Sequence, residues 1–488
     1  MTRTDIRFWY QGKTLSLSDQ PAQRTVLQWL REERGACGSK EGCGEGDCGA
    51  CTVVVATLDA QGAGGLRLQA INSCIALLPT LDGKALFTVE DLAGADGLHP
   101  VQQALVDLHG SQCGFCTPGF AMSLWADYEE QPRVPTLDEA QQVLSGNLCR
   151  CTGYRPILEA AQRCREYPLQ RLERAPIRSA LEKIANEPAL DFDHGGQRFF
   201  APRSLTELAT LRQALPEARL LAGGTDIGLW VTKQLRELGD IIYLGAVEEL
   251  RRTETDDTWL TLGAGLTLTE AFTLLCRDEP QWQELAARFA SLPVRNAGTL
   301  GGNVANGSPI GDSMPALIAL GTHVVLQKGE TQRELALEDF YLGYQQTALQ
   351  PGEFVRALRV PRAVPGRLFR TWKVSKRQDQ DISAVCAGFA LTLGDAGLIS
   401  DARLAFGGMA ATPRRALAAE AALRGQPLEL RSIEAAMDAL EQDFQPIADM
   451  RASAAYRQQV ARNLLRRLWL EHSTQAQLRV DRITEVFA

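Results

Sequence analysis

Ten of the twelve cysteines in this 488-residue chain fall before position 165, and eight of them form two sets of four. The first set reads Cys43-Gly-Glu-Gly-Asp-Cys48-Gly-Ala-Cys51, completed by Cys74. This is the C-x₄-C-x₂-C…C spacing of a plant-type [2Fe–2S] loop. A loop wrapped around a cluster must turn tightly and aim backbone N–H groups at sulfur. Gly42, Gly44, Gly46 and Gly49 supply the positive φ values that such turns require. Zinc favours paired C-x₂₋₄-C units and needs no such density of glycine. The second set is Cys113-Gly-Phe-Cys116 with Cys149-Arg-Cys151. Each pair sits at the junction of two predicted helices, so four thiolates can meet at one end of a bundle. By spacing alone this set fits zinc as well as iron–sulfur.

Clustered thiols are read this way because nothing in the sequence points to an oxidising compartment. The N-terminus alternates polar and apolar residues and lacks the apolar core of a signal peptide. No stretch reaches the roughly 18 apolar residues of a membrane span. A cytoplasmic protein is expected. A formal charge of −8 argues against a nucleic-acid partner. The length exceeds the roughly 250 to 300 residues of one core, and 45% hydrophobic content lets each of several domains bury its own.

Local patterns divide the chain. Ile6, Phe8 and Tyr10 alternate before Gly12, and Leu15 and Leu17 follow, predicting a hairpin. Thr25 is placed to cap a helix that Gly35 ends, and Thr52–Leu58 predicts a strand paired with 66–71. Helices are predicted to open at Pro100, at Thr117-Pro118 with Thr117 as cap, at the capping box Thr136-Leu-Asp-Glu139, and at Pro156. Residues 167–197 read as a charged, proline-containing linker with one short helix at 177–185. Beyond it strands and helices alternate, with a capping box at Ser204-Leu-Thr-Glu207, strands at 219–222 and 241–244, and Thr269 as a further cap. From about Leu368 a meander leads into helices after Thr412-Pro413.

Two glycine-rich segments follow the linker: Leu220-Leu221-Ala222-Gly223-Gly224-Thr225-Asp226-Ile227, and Arg295-Asn-Ala-Gly-Thr299-Leu-Gly301-Gly302-Asn303 before Ser308-Pro-Ile-Gly-Asp312. Bare backbone at such turns lets N–H groups approach a pyrophosphate. As isolated motifs they fit ordinary turns equally well. No G-x-G-x-x-G opens a helix after a strand, so a Rossmann NAD fold is not predicted.

Segments 41–52, 112–119 (Gln-Cys-Gly-Phe-Cys-Thr-Pro-Gly) and 147–156 (Asn-Leu-Cys-Arg-Cys-Thr-Gly-Tyr-Arg-Pro) resemble the signature segments of the xanthine dehydrogenase and aldehyde oxidase family of molybdenum hydroxylases. The resemblance spans nearly the whole chain. It implies that Cys43, Cys48, Cys51 and Cys74 hold the [2Fe–2S] cluster nearer the flavin, and Cys113, Cys116, Cys149 and Cys151 the one nearer molybdenum. It implies FAD contacts from Leu220 to Ile227, Phe289, Thr299, Gly301, Gly302, Asn303, Asp312 and Lys373. Lys373, Lys376 and Arg377 are equally readable as a solvated strand end. Cys37, Cys164, Cys276 and Cys386 are left without a role.

The expected fold is therefore multidomain α+β. It comprises a β-grasp [2Fe–2S] ferredoxin domain (1–88), a four-helix [2Fe–2S] bundle (89–166), the linker (167–197), an α/β FAD-binding domain (198–365) and a C-terminal α+β flavoprotein domain (366–488). No stretch is left to hold molybdopterin, which the resemblance places on a large partner subunit, in a hetero-oligomer such as α2β2. The implied activity is electron transfer from that partner to FAD and then NAD⁺ during oxidation of hypoxanthine and xanthine to urate. A self-contained iron–sulfur flavin reductase, or the small subunit of a related aldehyde or N-heterocycle hydroxylase, is the alternative.

Overall fold

The computed structural model describes residues 2–94, 97–394 and 397–474. The last part of the fourth expected domain, 475–488, lies outside the described residues. The chain divides into two units. The first runs to Glu249 and takes in Thr267–Thr269 and Ala290–Thr299; the second holds Leu250–Leu266, Glu270–Phe289 and the chain from Leu300 on.

The first unit begins with the expected hairpin, Ile6–Tyr10 against Lys13–Leu17, turning at Gly12 with φ +79°. Its period of two sends Ile6, Phe8 and Tyr10 into the core, each fully buried. Full burial of a side chain the size of Phe8 contributes about 1.5–3 kcal/mol. The helix Val26–Glu32 lays Trp29 edge-on against Phe8 and Tyr10, at 5.3 and 5.4 Å between ring centroids. Thr25 caps it reciprocally with Gln28. Strands Thr52–Leu58 and Leu66–Asn72 pair antiparallel, and Ala85–Phe87 slots between Thr52–Leu58 and Ile6–Tyr10, parallel to the latter. The resulting five-stranded sheet gripping one helix is a β-grasp.

Four helices follow: Pro100–Asp107, Thr117–Glu130, Leu137–Val143 and Arg155–Arg163. Thr117–Glu130 is buried on nearly every side. Phe120, Met122, Leu124, Trp125 and Tyr128 share one core with Val54, Leu68 and Phe87 of the sheet. The expected cap at Thr117 is displaced by one residue. Cys116 is the N-cap, without a side-chain cap bond, and the Thr117 hydroxyl donates to Ser111 Oγ at 2.7 Å. Thr136 and Glu139 form their capping box.

Within 167–197, read as linker, Arg174–Ala185 is a helix burying Ile177, Leu181 and Ile184, and Leu190–His194 is a strand. That strand pairs with Gln197–Ala201 and joins a four-stranded sheet with Ile241–Tyr243 and Arg219–Leu221, the last three mutually parallel. The amphipathic spacing of 177, 181 and 184 outweighs the charge content of the segment. Ser204 caps Leu205–Ala214, but the Glu207 carboxylate accepts from the Arg203 amide, not from Ser204.

The second unit contains a five-stranded antiparallel sheet, in order Thr253–Thr255, Trp259–Gly263, Phe354–Pro361, His323–Lys328, Thr331–Ala336. Helix Ser313–Leu320 is buried all round. The meander is present as Arg367–Val374, Val385–Leu393 and Ile399–Gly407, with Arg414–Arg415 at its edge, covered by Leu417–Leu423, Leu430–Asp443 and Ala454–Thr474. Fully buried Glu420 is neutralised by Arg415 at 2.6 Å and accepts from the Leu404 amide at 2.9 Å. Thr269, expected as a cap, lies inside the helix Leu268–Asp278. Among the described residues no helix is long and apolar enough to cross a membrane.

His99 caps Pro100–Asp107 in its neutral form, with Nδ1 accepting from the Val101 amide at 3.2 Å. Burial, reinforced by the Arg171 and Arg165 guanidiniums, pushes its pKa from 6.5 down to about 4. Above pH 6.5 the ring is neutral folded or unfolded. Between 6.5 and 4 only the unfolded chain takes up the proton, so stability falls over that window by up to about 3 kcal/mol. His99→Asn keeps a capping side chain and removes the titration. Hydrogen-exchange protection of amides 103–107 should drop from pH 7 to pH 5 in the wild type and stay nearly constant in the variant.

Candidate functional site

Both cysteine quartets gather in the first unit. In the first, the loop after Gly42 curls round Cys43, and the amides of Glu45, Asp47 and Cys48 donate to its sulfur at 3.4, 3.3 and 3.3 Å. Gly44, Gly46 and Gly49 take φ values of +65°, +78° and +69°, the left-handed turns that aim those amides inward. Cys51 Sγ and Cys74 Sγ lie 3.3 Å apart, buried, with Leu27, Ile75 and Leu229 around them. Hydrogen bonding with Cys48 and Cys74 holds the Cys43 thiol far below the usual thiol range, and hydrogen bonding with Cys74 lowers Cys51, while the same contacts push Cys48 and Cys74 up.

In the second quartet Cys113 Sγ and Cys151 Sγ are 3.6 Å apart at the surface, and Cys116 meets Cys149. Burial pushes Cys116 up to about 12, while bonds from Thr152 outweigh burial at Cys149 and lower it. Thr152 N donates to Cys149 Sγ at 3.4 Å, and the Cys149 amide donates to the Tyr154 hydroxyl at 3.0 Å. No cysteine is in a disulfide. Among the described residues no three His, Cys, Asp or Glu side chains surround a single-ion position. The sulfurs of each quartet lie in mutual contact, and a [2Fe–2S] cluster takes two thiolates on each iron. The eight cysteines and their N–H donors fit two such clusters.

The quartets are joined directly. Leu148 N, next to Cys149, donates to the carbonyl of Cys48 at 3.0 Å. The buried Asn147 amide donates to Gly49 O at 3.2 Å and Thr52 Oγ1 at 3.1 Å, and its oxygen accepts from Ser123 at 2.6 Å. A Cβ on Gly49 would stand 2.0 Å from Gly146 O, and one on Gly119 would stand 2.1 Å from Gly49 O.

The flavin candidates are divided between the units. Leu220–Ile227 and Thr299 belong to the first. Here the two glycine-rich segments meet without side chains between them: a Cβ on Gly223 would fall 2.0 Å from Ala297 O and 2.6 Å from Gly298 Cα. Gly224 takes φ +71°. Thr299 is buried and bridges to Thr267. This is a bare-backbone surface of the kind a diphosphate can approach, and it fits FAD.

Phe289, Gly301, Gly302, Asn303, Asp312 and Lys373 belong to the second unit. Lys373 and Asp312 are both buried and pair at 2.7 Å, and Ser383 donates to Asp312 at 2.5 Å. Lys373 is therefore no solvated strand end, whereas Lys376 and Arg377 are exposed. Asn303 accepts from Ser313 at 2.6 Å, and Phe289 packs on Phe272 at 5.2 Å. Gly301 has a packing reason for its identity, since a Cβ there would meet Ala264 Cβ at 2.4 Å. Of the remaining cysteines, Cys37 is exposed, and burial raises Cys164 and Cys276 to about 11 and Cys386 well above its ordinary value. Such thiols are poor ligands and nucleophiles. Asn147 lies within a segment that the sequence singles out, yet only the fold reveals its partners, and only the fold brings Ser383 to Asp312.

Four stretches of this chain match known domain families. Residues 10–78 match the 2Fe-2S iron-sulfur cluster binding domain, and 88–162 the [2Fe-2S] binding domain. Residues 192–363 match the FAD binding domain in molybdopterin dehydrogenase, and 370–472 the CO dehydrogenase flavoprotein C-terminal domain. The chain thus carries two [2Fe–2S] domains and an FAD-binding domain. Xanthine dehydrogenase of Emericella nidulans is 32% identical over 90% of this chain and 36% of its own length. Xanthine dehydrogenase/oxidase of Rattus norvegicus is 29% identical over 84% of this chain and 34% of its own. The chain spans about a third of the length of these relatives. A solved chain of the reconstituted CO dehydrogenase from Oligotropha carboxidovorans aligns with a TM-score of 0.53 at 28% identity, covering 56% of this chain and 96% of that one.

Gly223→Ala would force two backbones apart, a change costing about 1–3 kcal/mol. FAD affinity of the full chain, read by flavin fluorescence titration, should weaken about tenfold while iron content holds. Unchanged affinity would remove Gly223 from the cofactor surface.

Proposed function

We propose that this chain, which belongs to the molybdenum hydroxylase family, is the electron-transfer component of such an enzyme, partnered by a molybdopterin-binding polypeptide that oxidises the substrate. The direct joint between the two cysteine quartets carries this reading. A chain that holds two one-electron sites in contact, together with an FAD domain, is built to move electrons rather than to bind or transform a substrate. When bound, the clusters supply one-electron carriers, and FAD supplies a group that collects two electrons and passes them to NAD⁺.

The protein's own residues position these carriers. The amides of Glu45, Asp47, Cys48 and Thr152 point at cysteine sulfur, where hydrogen bonds favour added negative charge. The Asn147 bonds hold the two loops in one register. The first quartet is mostly sequestered, whereas Cys113 and Cys151 are exposed beside Phe115 (45% exposed) and Leu148 (40%). That apolar rim is where the partner subunit docks, bringing its molybdenum centre to the second cluster. The four spare cysteines are free thiols as well, which suits the reducing cytoplasm.

Xanthine dehydrogenase is the activity we assign, with hypoxanthine and xanthine as substrates of the partner, NAD⁺ as acceptor and two copies of each chain in the assembly. Its support is the 32% identity to a xanthine dehydrogenase across 90% of this chain. The likeness to CO dehydrogenase favours a second reading, the electron-transfer subunit of a related hydroxylase with another substrate.

Two measurements test the proposal. The reduced full-length chain should contain about four irons and show two distinct S = 1/2 EPR signals. Cys113→Ser should abolish one and spare the other; a single signal with about two irons would refute the two-cluster assignment. Copurified with its partner, the protein should form NADH with xanthine. Inertness to xanthine with turnover of an aldehyde or another N-heterocycle would select the second reading.

A further inference from the structure

The helix Ile227–Thr232 leaves the glycine-rich segment and runs against the first cysteine loop, within the first unit. Gly228 is pressed on the backbone beside Cys74: a Cβ there would meet Ile75 O at 2.4 Å. Leu229 packs with Leu27, Cys51, Cys74 and Ile75. At the end of the helix Lys233 reaches over the loop, and its ammonium donates to the carbonyl oxygen of Cys43. A Cβ on Gly44 would lie 3.7 Å from Nζ, and Glu45 Oε2 stands 4.0 Å from it. The amides of the loop approach Cys43 sulfur, and Lys233 adds a full positive charge at the same residue.

We propose that Lys233 sets the reduction potential of the first cluster, favouring its reduced state and so drawing electrons out of the second cluster. The inference rests on the two-cluster reading above. The step moves one electron and no proton: the first cluster gains one negative charge, and the second, its reductant, loses one. A cation held on Cys43 stabilises the added charge, and the Glu45 carboxylate opposes it. Lys233 is 43% exposed, so solvent screens part of its field. The expected effect is about tenfold in the reduction equilibrium, or about 59 mV for a one-electron couple. A purely structural lysine, serving the C-terminus of its helix, would leave the potential alone.

The test is an EPR-monitored dithionite titration of the full-length protein, with Cys113→Ser identifying the second cluster's signal. In Lys233→Met the first cluster's midpoint should fall by about 59 mV while the second's stays, a like shift for removal of one nearby charge. Lys233→Arg should restore the wild-type value, and Glu45→Gln should raise it. An unchanged midpoint in Lys233→Met, an equal shift of both clusters, or an arginine variant that behaves like the methionine one overturns the proposal. If Lys233→Met fails to assemble the cluster, Glu45→Gln decides: a rise supports the proposal and no change overturns it. A single EPR signal in the wild type would instead defeat the two-cluster reading, a separate outcome.

Discussion

Backbone laid on backbone between the two cysteine loops is the contact on which the electron-transfer half of this protein depends. Gly49 and Gly119 each lack the one atom that would hold the loops apart, since an added Cβ would stand 2.0 Å from Gly146 O in the first case and 2.1 Å from Gly49 O in the second. Only at that range can Leu148 N reach the carbonyl of Cys48, a candidate ligand of one site bonded to a neighbour of the other. Asn147, buried and with its donor and acceptor groups both engaged, makes the approach directional. Buried amides left unpaired would cost about 1–3 kcal/mol each, so this register is enforced as well as favoured.

The same device recurs at the glycine-rich segment. Gly223 brings its own backbone against Ala297 and Gly298, where a Cβ would leave no room. Gly228, a turn later, presses the following helix onto Ile75 beside Cys74. One short stretch therefore serves both a candidate diphosphate surface and the wall of the first iron–sulfur loop. Glycine at 301 belongs to a different economy, the packing of a helix on Ala264. Identical residue types in one motif thus have separate physical reasons. The charged members behave similarly: Lys373 is buried against Asp312 and Ser383, while Lys376 and Arg377, three and four residues on, face solvent.

Much of this was legible beforehand. Alternation at Ile6, Phe8 and Tyr10, the cap at Thr25, the capping box at Thr136, and the cysteine spacings are local codes in which a few neighbouring residues carry the whole signal. Readings that needed one residue's resolution went astray by about that much. Thr117 looked like a cap before Pro118, yet the helix starts a residue earlier, with Cys116 as N-cap and the Thr117 hydroxyl bonded to Ser111 instead. Thr269 lies inside its helix and donates to Asn296, a partner 27 positions away. The segment 167–197 read as linker because charge and proline dominate its composition, while its buried Ile177, Leu181 and Ile184 acquire meaning only against the sheet and helices they cover.

The sequence alone determined the candidates for the chemistry: which eight thiols are candidate iron ligands, which two glycine-rich segments are candidate flavin contacts, and the order of the domains that carry them. Those are properties of spacing and side-chain type, and they survive any rearrangement of the elements. Tertiary structure alone decided which carbonyl meets which amide. The contact of Cys48 with Leu148, of Asn147 with Gly49, and of Lys233 with Cys43 each joins residues about a hundred or more positions apart. A hydrogen bond is fixed by a few tenths of an ångström, and over such separations only the packed core holds a chain to that tolerance.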